Sequence, residues 1–222
     1  NYRASTGFGK NHQQKGNGEW AGKIRTDLLD AVAWAIENQI TTKDKVAIMG
    51  RSFGGYSTLV GLSFTPDTYC CGVDIVGPSN LITMAKHFPP YWQAFKGAIH
   101  EMLGCDPDTL DGQAFLTECS PINYVDRITK PLLIGHGAND VRVLQEESDK
   151  MVAALQANHI PVTYALFPDE GHQFLHPGNR IAFYALAELF LAKNLNGRVE
   201  PYDDATSTSM VIKADDFRLY QA

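Results

Sequence analysis

The sequence predicts an α/β protein, with a mostly parallel sheet and helices on both of its faces. Short apolar runs with β-branched residues alternate along the 222 residues with stretches in which apolar residues recur at helical spacing. Strands that are separated by helices form parallel sheets, because each helix carries the chain back across a face of the sheet. Polar residues directly follow several of these strands, and ligands of such sheets bind beyond the carboxyl ends of the strands.

Four apolar runs have the length and composition of buried strands, and they are residues 46–49, 72–76, 131–137 and 162–167. Helical periodicity marks four other stretches, at residues 27–39, 56–64, 144–155 and 181–190. Residues 79–119 form a long insertion, which we interpret as a lid or pocket wall, the alternative being a helical pair that only covers the sheet. We therefore predict a catalytic domain over residues 1–195. Residues 196–222 are predicted to be a polar tail with a short docked segment near Met210.

Composition excludes several classes of protein. Hydrophobic residues make up 44% of the chain and charged residues 20%, as in ordinary globular domains. The net charge of −6 predicts no nucleic-acid partner, and no apolar run approaches the roughly 20 residues of a membrane span. The cysteines lack metal-binding spacing and the N-terminus does not resemble a signal peptide, so we expect a reducing, cytoplasmic setting.

No cofactor or metal is predicted from the motifs. The stretch Gly7-Phe8-Gly9-Lys10 is not a phosphate loop, because His12 stands where the third glycine would be needed. His172 and His176 are four residues apart but lack the glutamate of a zinc-protease helix.

The most informative stretch is Gly50-Arg51-Ser52-Phe53-Gly54, which lies between a predicted strand and a predicted helix. This G-x-S-x-G pattern is typical of a nucleophile elbow, a sharp turn that presents a serine above the sheet edge. We expect both glycines to be required because side chains there would collide with the neighbouring helix and strand. The pattern alone also fits a glycine-rich turn in which the serine is only a helix cap.

Asp140 and His172 decide between these two interpretations. Each follows the end of its own predicted strand, so both side chains should reach the same sheet edge as Ser52. A histidine can take the proton of a serine hydroxyl, and a carboxylate orients that histidine and stabilises its charged form. The order Ser52, Asp140, His172 is that of the α/β-hydrolases, and we predict this fold and this triad.

Several motifs in order make the chain resemble the prolyl oligopeptidase family, in particular its acylaminoacyl-peptidase-like and dipeptidyl-peptidase-like serine peptidases. The matching stretches cover about residues 1–195 and include 1–9, 18–20, 27–30, 46–55, 77–78, 137–143 and 169–172. The resemblance implies that Ser52 is the nucleophile, Asp140 the acid and His172 the base. It also implies that the backbone N–H of Phe53 is an oxyanion donor. Arg142 matches an arginine that binds a substrate carbonyl in some members, the alternative being a surface ion pair.

An apolar pocket for the residue before the scissile bond is expected near the nucleophile, with Phe53, Pro78, Tyr91 and Trp92 as candidates. In members of the family a β-propeller and the first hydrolase strands precede the stretch that matches Asn1. A loop that supplies a second oxyanion donor precedes it as well. We therefore expect an N-terminally truncated hydrolase domain with low peptidase activity, since one lost donor costs on the order of 10²–10³ in rate. An unpaired sheet edge beside Ile48 would invite homo-oligomers.

These expectations define a main hypothesis and two alternatives. The main hypothesis is a serine peptidase that hydrolyses short peptides through an acyl-enzyme, of the oligopeptidase, dipeptidyl-peptidase or acylaminoacyl-peptidase type. The first alternative is a carboxylesterase with the same fold and machinery. The second is a non-catalytic assembly module that uses the exposed sheet edge.

Overall fold

A computed structural model describes residues 1–201 and 207–216 of the chain. Its sheet has five strands in the order β1-β2-β3-β4-β5, and the first four run parallel while β5 is antiparallel to β4. The strands are β1 (Ala47–Arg51), β2 (Cys71–Ile75), β3 (Leu132–Gly137), β4 (Val162–Phe167) and β5 (Val211–Asp215). The prediction of a mostly parallel sheet between helices is confirmed.

Eight α-helices surround the sheet in the part of the chain that is described. They are α1 (Lys10–Gln14), α2 (Lys23–Glu37), α3 (Phe53–Phe64), α4 (Leu81–Lys86), α5 (Lys96–Leu103), α6 (Leu110–Glu118), α7 (Gln145–Ala157) and α8 (Pro177–Leu195). Two 3₁₀ helices, Pro90–Phe95 and Pro121–Arg127, complete the set. None of the helices in the described ranges is long and apolar enough to cross a membrane.

Two apolar clusters cover the two faces of the sheet. Leu59 and Leu62 of α3 pack with Met151 and Leu155 of α7 on one face. On the other face the aromatic side chains of α8, such as Phe183, pack against β2, β3 and β4. Every residue of β2, β3 and β4 is buried, because helices lie on both sides of these central strands.

The insertion after β2 builds a third apolar cluster. Leu81 and Met84 of α4 pack there with Leu103 of α5 and Leu116 of α6, against Tyr56 of α3. The insertion is therefore anchored to the helix that follows Ser52, and its inner surface lies close to that residue.

The segment after α8 contains β5, which pairs with β4 and has a register shift opposite Tyr164 and Ala165. The sequence predicts a polar tail here with a short docked segment near Met210, and β5 begins one residue later. The domain boundary at residue 195 stays a prediction. Residues 202–206 and 217–222 of the predicted tail lie outside the described residues.

Candidate active site

Ser52 lies on a sharp turn between β1 and α3. Its backbone has φ 58° and ψ −117°, a conformation that residues with side chains rarely adopt. Backbone hydrogen bonds hold this strained turn on both sides: Ser52 N–H donates to the carbonyl of Ile75 (2.8 Å), and Tyr56 N–H donates to the carbonyl of Ser52 (3.0 Å). The turn thus has the geometry expected of a nucleophile elbow.

The glycines around the turn have unequal roles. A Cβ atom on Gly50 would lie 2.4 Å from the backbone of Gly54, closer than real structures allow. A Cβ on Gly54 itself would meet nothing within 4 Å, so the expectation that a side chain there collides with its neighbours is wrong. The second tight contact is at Gly55, whose Cβ would lie 2.2 Å from Asp74 Oδ1 and 2.7 Å from the Cα of Gly77.

The structure brings Ser52, His172 and Asp140 into one chain of hydrogen bonds. His172 Nε2 lies 2.8 Å from Ser52 Oγ, and His172 Nδ1 lies 2.6 Å from Asp140 Oδ2. Because the carboxylate can only accept, Nδ1–H donates to it and the lone pair of Nε2 faces the serine hydroxyl. The arrangement can move the serine proton to the imidazole.

Asp140 is fixed by its own loop. Its side chain is fully buried, and Oδ1 accepts hydrogen bonds from Arg142 N–H (2.8 Å) and Val143 N–H (3.0 Å). His136 also holds this loop. Its Nε2 donates to the carbonyl of Val143 (3.0 Å), and its Nδ1 accepts from Ser148 Oγ–H (2.7 Å). Burial lowers the pKa of His136, which favours the neutral ring that these bonds require.

A second buried carboxyl lies below the elbow. Asp74, in β2, is 1% exposed, and its Oδ1 accepts a hydrogen bond from Gly77 N–H (2.9 Å). Burial raises the pKa of Asp74 to about 8, so this group prefers the protonated form at neutral pH.

Phe53 begins α3, so its backbone N–H has no acceptor within the helix and lies next to Ser52. The positive end of the helix dipole favours negative charge at this position. The ring of Phe53 packs against Trp20, with ring centroids 4.9 Å apart, and against Tyr2, with ring centroids 6.2 Å apart.

A cavity of about 470 Å³ opens beside Ser52 and His172. Of the predicted pocket residues, Phe53, Trp92 and Arg142 line it. Tyr91 does not line it, but its hydroxyl accepts a hydrogen bond from Arg142 Nε (3.2 Å). The remaining lining is mostly apolar and includes Tyr2, Trp20, Ile24, Met84, Phe88, Phe95, Ile99, Met102 and Val143.

Pro78 is buried and lies outside the lining of this cavity. The backbone that follows Pro78 is held by the buried carboxylate of Glu147, which accepts hydrogen bonds from Ser79 N–H (3.0 Å) and Asn80 N–H (2.7 Å). The cavity therefore gives no support to the predicted role of Pro78.

Tyr2 and Trp20 are pocket residues that sequence reasoning missed, although both belong to stretches that match the family. Tyr2 is held in place through its neighbour Arg3, whose side chain pairs with both carboxylate oxygens of Asp27 in α2 (2.7 and 2.5 Å). The hydrogen bonds from Arg3 lower the pKa of Asp27 to about 2. The N-terminal segment is thereby fixed against α2 as one wall of the cavity.

Asp169, Glu170 and His176 are the one group in the described ranges whose ligand atoms lie close enough to hold a metal ion, within 4.8 Å. Both carboxylate oxygens of Glu170 already accept hydrogen bonds, from Leu175 N–H (2.7 Å) and His176 N–H (2.9 Å). The group is therefore built as a hydrogen-bonded loop rather than as an open set of ligands.

Comparison with known proteins finds relatives that match most of the chain. The chain is 57% identical over 213 residues to dipeptidyl aminopeptidase BIII of Pseudoxanthomonas mexicana, covering 96% of this chain and 31% of the relative. It is 49% identical to dipeptidyl peptidase family member 6 of Caenorhabditis elegans, covering 96% of this chain and 29% of that protein. The chain thus spans about a third of the length of these relatives.

A solved puromycin-hydrolyzing peptidase of Mycobacterium tuberculosis shares the fold, with a TM-score of 0.82 and 25% sequence identity over 91% of this chain and 30% of the other. The family model "Peptidase_S9: Prolyl oligopeptidase family" matches residues 1–198. Because this match covers nearly all of the chain, the chain belongs to the prolyl oligopeptidase family of serine peptidases and has its α/β-hydrolase fold.

Proposed function

We propose that the chain carries the catalytic machinery of a serine peptidase that hydrolyses short peptides through an acyl-enzyme. Ser52 is the nucleophile, His172 the general base and then acid, and Asp140 the residue that orients the imidazole. The observation that supports this most directly is the hydrogen-bond chain from Ser52 Oγ through His172 to Asp140, at 2.8 and 2.6 Å.

The reaction follows from these contacts. As Ser52 Oγ bonds to the scissile carbonyl carbon, its proton moves to His172 Nε2, and the charge on the imidazole is balanced by Asp140. The carbonyl oxygen becomes negative, and the N–H of Phe53 at the start of α3 is suited to stabilise it. His172 then gives its proton to the leaving amine as the C–N bond breaks, and water releases the acid product by the same steps in reverse.

The cavity supports a substrate with an apolar side chain before the scissile bond. Its lining is dominated by aromatic and aliphatic residues and has the volume of a typical small-ligand site. Arg142 reaches the same cavity and offers N–H donors for a carbonyl of the substrate backbone. The similarity to dipeptidyl peptidases favours release of dipeptides from a free N-terminus.

The nucleophile is tested by covalent labelling of the chain with a fluorophosphonate probe. We expect labelling of the wild-type chain, complete loss in Ser52→Ala, and a loss of about 10³-fold or more in rate in Asp140→Asn. The matched control is Ser57→Ala, further along α3, whose hydroxyl bonds only to the carbonyl of Phe53 (3.0 Å) among the residues that the structure describes. A folded wild-type chain that does not react would contradict the proposal.

The substrate class is tested by comparing dipeptide amides with a free or an acetylated N-terminus. No acidic side chain lines the cavity as the described residues form it, so the cavity supplies no counter-charge for an ammonium group. Preference for the free amine would support the dipeptidyl-peptidase assignment, whereas preference for the acetylated amide would favour the acylaminoacyl-peptidase type. Faster turnover of a matched ester than of either amide is expected of any acyl-enzyme mechanism, but activity on the ester alone would indicate an esterase.

A further inference from the structure

The loop between β4 and α8, residues 168–176, carries His172 and contains no helix or strand. It folds around the carboxylate of Glu170, which is 1% exposed. Glu170 Oε2 accepts from Leu175 N–H (2.7 Å) and Oε1 from His176 N–H (2.9 Å), while the carbonyl of Glu170 accepts from Asn139 N–H (2.8 Å). The position of His172 therefore depends on how Glu170 itself is held.

Asn179, the third residue of α8, holds Glu170. Its side chain is buried, and Nδ2 donates both to Glu170 Oε1 (2.8 Å) and to Asp169 Oδ1 (3.0 Å). Burial alone would raise the pKa of Glu170, but the hydrogen bonds from Asn179 and from the loop backbone hold it below its ordinary value. The carboxylate is thus kept charged inside the loop, where it can accept all of these bonds.

The other end of the Asn179 amide binds a distant part of the chain. Oδ1 accepts from Thr208 Oγ1–H (2.9 Å) and from Ser209 N–H (2.9 Å), in the segment that leads into β5. Ser209 Oγ–H also donates to Asp169. The two donors and the two lone pairs of the amide are all used, so a single buried side chain connects α8, the His172 loop and the segment before β5.

We propose that Asn179 is a positioning residue that ties the segment before β5 to the His172 loop and so holds His172 at hydrogen-bonding distance from Ser52 and Asp140. A loop without regular structure has many conformations, and misplacement of a catalytic group by about 1 Å can cost up to 10²-fold in rate. This inference rests on the proposed function, since it assigns a role in the reactivity of Ser52.

The test uses the time course of fluorophosphonate labelling, which gives the labelling rate and the final labelled fraction separately. In Asn179→Ala we expect the limiting labelling rate to fall about tenfold, with unchanged half-saturation by the probe and complete final labelling. Thr208→Ala should lower the rate by roughly threefold, while Thr208→Ser, which keeps the hydroxyl, should restore it. The matched control is Asn194→Ala in the same helix. Within the described residues its amide bonds only to the carbonyl of Phe190 (2.8 Å), and its rate should stay at the wild-type value.

A purely structural role for Asn179 would lower the labelled fraction or the thermal midpoint and leave the rate of the folded fraction unchanged, and this result would overturn the inference. Equal rates in wild-type and Asn179→Ala chains would overturn it as well, while the proposed function would stand. An unreactive wild-type chain would overturn the proposed function and the inference together. If Asn179→Ala does not fold, the pair Thr208→Ala and Thr208→Ser decides, because loss and rescue of the rate support the inference and equal rates contradict it.

Discussion

Asp140 shows how one side chain can serve both a turn and the proposed reaction. Oδ1 accepts from the N–H groups two and three residues later, as an aspartate does in a tight turn, while Oδ2 accepts from His172. The part that Asp140 plays in the turn is therefore compatible with its proposed role as the acid. Since both oxygens are engaged, the carboxylate cannot rotate away from the imidazole without breaking the turn.

Asp74 gives a prediction at the scale of one residue. Burial raises its pKa to about 8, so between about pH 4 and pH 8 the folded chain keeps a proton that the unfolded chain releases. The free energy of unfolding should therefore fall as the pH rises through this range. In Asp74→Asn the side chain cannot ionise but can still accept a hydrogen bond from Gly77 N–H. The fall in the free energy of unfolding that Asp74 causes should therefore be absent.

Urea unfolding at pH 5 and pH 8 measures the effect. From pH 5 to pH 8, the free energy of unfolding of Asp74→Asn should rise relative to that of the wild type by at least about 1 kcal/mol. Asp67→Asn, at an exposed position in the segment before β2, is the control and should show no such change. A difference between Asp74→Asn and wild type that is the same at both pH values would contradict the prediction.

At the residue scale, the sequence indicates best those groups whose position follows from the sheet. Ser52, Asp140 and His172 could be grouped because each follows a parallel strand, and the structure brings their side chains together. Asn179 could not be singled out, because its amide bonds both to Glu170, 9 residues earlier, and to Thr208, 29 residues later, and no sequence pattern links these three residues. The cavity gives no support to the predicted role of Pro78, which is buried outside its lining.

The elbow gives the prediction at the scale of an element. Gly50→Ala would place a methyl group 2.4 Å from the backbone of Gly54, and backbone atoms on a strained turn cannot move aside cheaply. We expect Gly50→Ala to destabilise the fold by about 2 kcal/mol or more and to abolish labelling of Ser52. Gly55→Ala should act in the same way through its contacts with Asp74 and Gly77.

Gly54→Ala is the matched control, since a Cβ there meets no atom within 4 Å and alanine is the better helix former. It should fold with wild-type or slightly higher stability, as measured by thermal unfolding. If Gly54→Ala lowered the stability as much as Gly50→Ala, the different surroundings of the two Cβ atoms would not explain where the pattern needs glycine.

The elements themselves were predictable where burial imposes a pattern. β2, β3 and β4 are buried on both faces and read as continuous apolar runs. β5 is exposed or half-buried, so its sequence lacks such a run, and only a short segment near Met210, next to its first residue, was expected to dock. α2 begins at Lys23, four residues before the predicted start, and its first turn contains the buried Ile24, one helical turn before Leu28.

At the scale of the whole molecule, the sheet has two edge strands within the described residues, β1 and β5. Among the described strands, β1 pairs with β2 alone and β5 pairs with β4 alone. β1 is also less buried than the central strands, and Met49 is 40% exposed. A shallow groove beside β1 is lined by Met49, Tyr184 and Leu191. This groove adds apolar surface next to the β1 edge.

We therefore predict that the 222-residue chain self-associates through β1, because unpaired backbone groups on an edge strand readily pair with another copy. Sedimentation velocity over a concentration series should show a dimer that dissociates on dilution. Met49→Lys should shift this equilibrium toward the monomer by about tenfold, since it brings a like charge to each side of the contact. Leu110→Lys, which adds the same charge at an 85% exposed position of the insertion, should leave the equilibrium unchanged. A wild-type chain that stays monomeric throughout the series, or equal effects of the two lysines, would rule out association through this edge.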